Sequence, residues 1–241
     1  MIPLVMVHGF MGGSAQWDAQ KEAIEPTCDV IALDLPGFGN NAHLPVINTI
    51  GGFADWVIGE LHNCGITRFH LLGHSMGGMI VQEIAQRIPD QIDKLILYST
   101  GPVGVLPGRF ETIAESKSRA QTDGAQATAR RIPAGWFLHG QAAPAYEACA
   151  AIAEQAGLDA ILAGLSAMEN WTGKAHLAAL KPKTLVIWGD GDRTYNWQQI
   201  ECLWQTIPNT NLCVFPNCAH AVHLENPEGF NSELIKYLAE G

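Results

Sequence analysis

Six short apolar runs punctuate the chain: IPLVMV at 2–7, CDVIALDL at 28–35, TRFHLL at 67–72, DKLILYS at 93–99, KTLVIW at 183–188 and NLCVF at 211–215. Their apolar residues stand mostly at consecutive positions, not alternate ones. This predicts strands covered on both faces, as in a parallel sheet. The runs lie too far apart for tight hairpins. Between several of them the period lengthens to that of a helix. Ile80, Ile84 and Ile88 recur every four residues until Pro89 stops the pattern. Phe53, Trp56, Val57 and Leu61 mark a second helix over 51–62. Phe230, Leu234 and Leu238 mark a third over 227–239, with Pro227 at its first position. Strand and helix in alternation predict an α/β protein with a doubly wound, mostly parallel sheet.

One region breaks the alternation. From about residue 103 to 178 there is no convincing strand, and segments such as AYEACAAIAEQAG read as helix, with Pro133 and Gly135 as breaks. A single crossover rarely needs so long a connection. We therefore expect a core built from 1–102 and 179–241, with 103–178 as a helical cap over the strand ends.

Composition narrows the possible partners. The 241 residues are 47% hydrophobic and 16% charged, which fits a globular chain with a large core. The formal net charge of −10 would repel nucleic acid and anionic membranes, so a neutral or weakly polar small molecule is the expected ligand. The six cysteines are scattered without a CxxC pair, as expected of reduced thiols. The opening MIPLVMVHGF has no basic region before a short apolar run. Together these predict a cytoplasmic protein with neither a nucleic-acid nor a membrane partner.

Candidate chemistry gathers where strands end, the usual place for ligands in such sheets. The third run leads into Gly73-His74-Ser75-Met76-Gly77, a G-x-S-x-G between strand and helix. In a nucleophile elbow the turn is so sharp that side chains two before and two after the serine would collide with backbone. Glycine at both places removes the collision and leaves the hydroxyl exposed. A serine hydroxyl needs a base, and the base an orienting acid. WGDGDR (188–193) follows the fifth run and offers Asp190 and Asp192; PNCAHAVH (216–223) follows the sixth and offers His220 and His223. A metal cluster of Cys218, His220, His223 and Glu225 matches no standard zinc spacing, so no metal is expected. His8 is expected to shape its loop, and Asp34 to tie down a turn through its side chain.

The motifs VHGF (7–10), LDLPGFG (33–39), GHSMGG (73–78), VIWGDGDR (186–193) and AHAVHLENPEGF (219–230) occur in order along essentially the whole chain. With them the protein resembles the α/β-hydrolase superfamily, in its capped esterase, lactonase and C–C hydrolase branch. The resemblance implies Ser75 as nucleophile, Asp192 as acid in preference to Asp190, and His220 as base, with His223 packed beside it. It implies oxyanion donors in the backbone N–H groups of Phe10 and Met76, and chemistry without a cofactor. Two departures stand out. The family's first two strands are lacking, which leaves an exposed sheet edge needing cover or a partner, so a monomer or a homodimer is expected. Ala219 stands where glycine usually precedes the base.

The resemblance implies acyl transfer to water, with the substrate set by the cap. Within 101–178 six basic residues (Arg109, Lys117, Arg119, Arg130, Arg131, Lys174) face seven acidic ones, with no basic cluster for a dicarboxylate. Trp136, Phe137, Met168 and Trp171 are candidates for an apolar substrate pocket or for the cap's own core. His74 stands where similar C–C hydrolases often have Asn. A small, mainly apolar carboxylic ester is thus the favoured substrate, ahead of an enol-lactone or other lactone. A C–C bond hydrolase and a non-catalytic binding protein are further alternatives.

Overall fold

The computed structural model describes residues 2–105 and 111–240. Its sheet has six parallel strands: β1 (Leu4–Val7), β2 (Val30–Leu33), β3 (Phe69–His74), β4 (Ile92–Tyr98), β5 (Lys183–Gly189) and β6 (Thr210–Phe215). They lie in the order β2-β1-β3-β4-β5-β6. Both faces are covered, which explains the unbroken apolar runs. Val5, Val7, Leu71, Leu95, Leu97 and Val186 face one side. There they meet α2 (Ile50–Asn63), α3 (Met76–Arg87) and α7 (Trp197–Thr206) through residues such as Phe53, Ile80, Ile84 and Ile200. Leu4, Met6, Leu72, Ile96, Tyr98 and Ile187 face the other side. They pack on Ile24 of α1 (Asp18–Ile24) and on Phe230 and Leu234 of α9 (Pro227–Ala239). The side-chain period of two thus feeds two separate cores.

The chain steps from β1 outward to β2, then back across β1 to β3. That reversal makes a crevice between the carboxyl ends of β1 and β3, where doubly wound sheets bind ligands. The sheet edges are β2 and β6, and all four residues of β2 are half-buried. Lys94, within β4, is buried and its ammonium group donates to the carbonyls of Tyr237 (2.8 Å) and Leu238 (2.9 Å), capping the end of α9.

Between β4 and β5 lies the helical insertion: α4 (Ile113–Ala134), α5 (Tyr146–Ala153) and α6 (Leu158–Glu169). Thr112 and Glu115 form a capping box at the start of α4. Pro133 and Gly135 end that helix, and a further break, not expected, falls inside it at Gly124 with φ 83°. The two ends of the insertion are clamped by an antiparallel bridge, Val103 to Thr172, with Gly104 N–H donating to Trp171 O (3.0 Å) and Gly173 N–H to Pro102 O (2.9 Å). Helix α6 sits hard on the loops after β1 and β2. A Cβ on Gly164 would meet the Phe10 ring at 2.9 Å, and one on Gly37 would meet Ala160 Cβ at 2.9 Å. Among the described residues no single helix is long and apolar enough to cross a membrane; α5 and α6 pass that test only together, across a 99° bend.

Candidate active site

Ser75 stands between the last residue of β3 and the first of α3, with φ 56° and ψ −118°. The glycines on either side act as the sequence implies. A Cβ on Gly73 would come within 2.3 Å of Gly77 O, and one on Gly77 within 2.3 Å of Val7 O. The strained turn is pinned from several directions: Ser75 N–H donates to Tyr98 O (2.9 Å), and Thr100 Oγ1 donates to Ser75 O (2.8 Å). The loop after β1 crosses beside it, since a Cβ on Gly9 would lie 3.0 Å from Ser75 Cβ. Both His8 nitrogens are used in shaping that loop: Nε2 accepts from Leu35 N–H (3.0 Å), and Nδ1 lies 2.7 Å from Gly9 O. Burial pushes the His8 pKa down, in keeping with a neutral ring. Asp34 ties the next turn to this one by accepting from Ser14 N–H (2.7 Å) and Ser14 Oγ (2.8 Å).

The two aspartates after β5 part ways. Asp190 accepts from Asn217 N–H (2.8 Å), joining two loops at the surface. Asp192 is buried. Its Oδ1 accepts from Thr194 N–H (2.7 Å) and Tyr195 N–H (3.2 Å), while Oδ2 lies 2.9 Å from His220 Nδ1. Close approach of the two loops requires Gly189, where a Cβ would fall 2.3 Å from Ala219 O. With Asp192 accepting from Nδ1–H, the free lone pair of His220 is on Nε2.

The His220 backbone carbonyl is gripped by two side chains that no sequence motif announces as a pair. His74 Nε2 donates to it at 3.0 Å, and Tyr98 Oη at 3.2 Å. The His74 and Tyr98 rings stack at 4.5 Å. Beyond them His223 Nδ1 lies 2.9 Å from Tyr98 Oη. Burial, helped by the neighbouring His220, pushes the His223 pKa down to about 3, and burial holds His74 well below its ordinary value. Both rings are therefore neutral near pH 7. His223 packs beside the His220 loop, as expected from its motif.

Ser75 and His220 line one narrow, half-enclosed pocket with Gly9, Phe10, Trp136, Met168 and Tyr195. Gly104, Ile132 and Thr194 complete the wall with His74. No Lys, Arg, Asp or Glu contributes to the lining among the described residues; Arg109 lies outside them. Of the four expected pocket residues, Trp136 and Met168 are on the wall. Phe137 is fully buried in the core. Trp171 lies against α3, its indole N–H donating to Glu83 (2.9 Å). Both face away because the chain at 136–137 turns one ring inward and one to the pocket, and because the Glu83 carboxylate captures the Trp171 indole. Sequence reasoning missed Thr194, Tyr195 and Ile132 as lining residues. Of these, Thr194 and Tyr195 had a usable signal, since an aspartate side chain readily accepts from the N–H groups two and three residues on in an Asx-type turn, as Asp192 does here. Cys218, His220, His223 and Glu225 do not converge, and among the described residues no group of His, Cys, Asp and Glu is placed to hold a metal.

A six-stranded parallel sheet with a serine on a strained strand-to-helix turn at its switch point defines an α/β hydrolase. The family model for the alpha/beta hydrolase fold matches residues 2–227, and the chain belongs to that family. It is 27% identical over 98% of its length to a protein of Pseudomonas savastanoi pv. phaseolicola that carries the name carbamate hydrolase RutD, covering 93% of it. It is 28% identical to the 2-hydroxy-6-oxo-6-phenylhexa-2,4-dienoate hydrolase of Comamonas testosteroni, over 98% of this chain and 87% of the other. The solved enol-lactonase of Burkholderia xenovorans superposes with a TM-score of 0.90 at 21% identity, over 99% of this chain and 92% of that one.

Proposed function

We propose that this protein hydrolyses a carboxylic ester of a small, neutral, mainly apolar substrate through an acyl-enzyme. The observation that carries the reading is the Asp192–His220 hydrogen bond of 2.9 Å, which opens onto the same uncharged pocket as Ser75. In this reading His220 Nε2 takes the Ser75 proton as Oγ attacks the ester carbonyl. The oxygen that gains charge is received by the backbone N–H groups of Phe10 and Met76, the second at the N-terminus of α3. The same imidazole, now protonated, gives its proton to the departing alcohol. Water, activated by His220, then releases the acid. Trp136 and Met168 bound the substrate, and the insertion (103–178) acts as the cap on a core of 1–102 and 179–241. No cofactor is required. The half-buried β2 edge of the sheet is compatible with a monomer or a homodimer, which light scattering separates.

Among the described residues the wall carries no charge, which suits neutral acyl compounds and disfavours dicarboxylates, because a buried carboxylate without a partner is costly. This places a simple ester ahead of a carboxylated enol-lactone. A carbamate is the second reading, supported by the name carried by the Pseudomonas savastanoi relative; its carbonyl passes through the same tetrahedral intermediate. The test is a panel of p-nitrophenyl esters of increasing chain length, several lactones and simple alkyl carbamates, with a fluorophosphonate probe alongside. Probe labelling lost in Ser75→Ala, with esters turned over fastest, is expected. Absence of labelling would remove the serine mechanism, and a binding role would then be the better reading.

A further inference from the structure

The motif around the base contains a carboxylate that the reaction does not use. Glu225 ends the one-turn helix α8 (Val222–Glu225). Its Oε2 accepts from Ala219 N–H at 2.6 Å, and its Oε1 accepts from Leu138 N–H at 2.8 Å. One partner is the residue before His220. The other lies in the insertion, two residues beyond Trp136. Both partners are backbone N–H groups, so the carboxylate acts here as a two-armed acceptor and not as an ion-pair partner. A third bond runs parallel to it, from Ala221 N–H to Trp136 O at 3.0 Å. Leu138 also packs on the acid loop, where a Cβ on Gly191 would meet its Cδ2 at 2.4 Å.

We propose that Glu225 is a positioning residue that fastens the His220 loop to the Trp136 wall of the pocket, so that the general base and the surface that selects the acyl or alcohol group are held as one unit. The proposal rests on the serine-hydrolase reading above. Its physical basis is that a carboxylate accepts from two N–H groups at once, whereas an amide of the same size offers one oxygen and turns an NH2 donor toward the second N–H. The Trp136 ring lies 6.4 Å from the His220 ring, so loosening of 136–138 reaches both substrate and base. Charge-assisted bonds of this kind are stronger than neutral ones, and the arm that is lost leaves a donor unpaired. The two hydrogen bonds to the His220 carbonyl, from His74 and Tyr98, are independent of this link and keep the loop from collapsing when it is cut.

The test compares wild type with Glu225→Gln. Amide hydrogen exchange is read at Leu138 and Ala219, and kcat and KM are read across the p-nitrophenyl ester panel. Wild type should protect both amides. Glu225→Gln should speed exchange of at least one of them and lower kcat about tenfold, the equivalent of one charge-assisted hydrogen bond. It should also flatten the preference between short and long esters, a change in selectivity that general loss of stability does not produce. Glu225→Gln with wild-type kcat and selectivity would overturn the proposal. So would free exchange of the Leu138 and Ala219 amides in wild type, a measurement that needs no variant to fold. A wild type that neither labels with the fluorophosphonate nor turns over any ester sinks the serine-hydrolase reading instead.

Discussion

Replacing Ser75 by glycine should make the protein more stable while abolishing hydrolysis. The serine is held at φ 56° and ψ −118°, a conformation that glycine adopts freely and a residue with a Cβ does not. Strain of this kind costs about 1–3 kcal/mol. Glycine loses more backbone entropy on folding, about 0.5–1 kcal/mol, which offsets part of the relief. A net gain of about 1 kcal/mol is expected, worth roughly 2–4 °C in Tm for a chain of this size. The control is Ser75→Ala, which removes the same hydroxyl but keeps the Cβ and so keeps the strain. The difference between the two variants in urea unfolding isolates the cost of holding the turn. Both should lose ester hydrolysis by a factor on the order of 10⁶, as expected when a triad nucleophile is removed. If Ser75→Gly is no more stable than Ser75→Ala, the elbow stores no strain and the account of its flanking glycines fails with it.

Asp192→Asn should lower kcat by about 10⁴, because an amide holds His220 in the wrong tautomer, whereas Asp190→Asn should change activity only slightly; a reversed order would reassign the acid. Gly77→Ala places a Cβ 2.3 Å from Val7 O and 2.5 Å from His8 O, and since backbone cannot rotate away, destabilisation at or above about 3 kcal/mol is expected in urea unfolding. His223, with its pKa lowered to about 3, is neutral when folded but takes up a proton below about pH 6.5 when unfolded. Stability should therefore fall as pH drops from 6.5 toward 3, by roughly 2 kcal/mol at pH 5 from this residue. Comparing the pH slope of wild type with that of His223→Gln measures this share, and equal slopes would refute it. Met168→Ala should enlarge the pocket and raise kcat/KM for longer esters relative to short ones, while an alanine at Phe137 should cost stability without that shift.

Much of the fold was legible in the sequence because strand and helix signals are local. The six apolar runs match the six strands to within two or three residues at each end, and the helices at Met76–Arg87 and Pro227–Ala239 begin where the elbow and Pro227 predict. The kink at Gly124 was not anticipated, because its signal, the Asp123-Gly124 pair that favours a turn with positive φ, lies inside a strongly helical pattern. The pocket wall was legible only in part. Trp136 and Phe137 are adjacent and equally apolar, yet one lines the pocket and the other is buried. Which of two neighbouring rings faces a cavity depends on how the insertion lies on the sheet, and that is set by close contacts such as Gly164 against Phe10.

By itself the sequence determined the strands, the elbow and Ser75 as the residue on its turn, because each depends on residues within a few positions of one another. It also narrowed the acid and the base to the turns after two later strands. The choice of Asp192 over Asp190 came in the sequence only through family resemblance. Tertiary structure separates the two: Asp192 reaches His220 at 2.9 Å, which supports its proposed role, and Asp190 accepts from Asn217 N–H. Only the tertiary structure could show that Tyr98 and His74 grip the His220 carbonyl and that Glu225 reaches Leu138, since these partners stand far away in the chain and such hydrogen bonds leave no periodic trace in it.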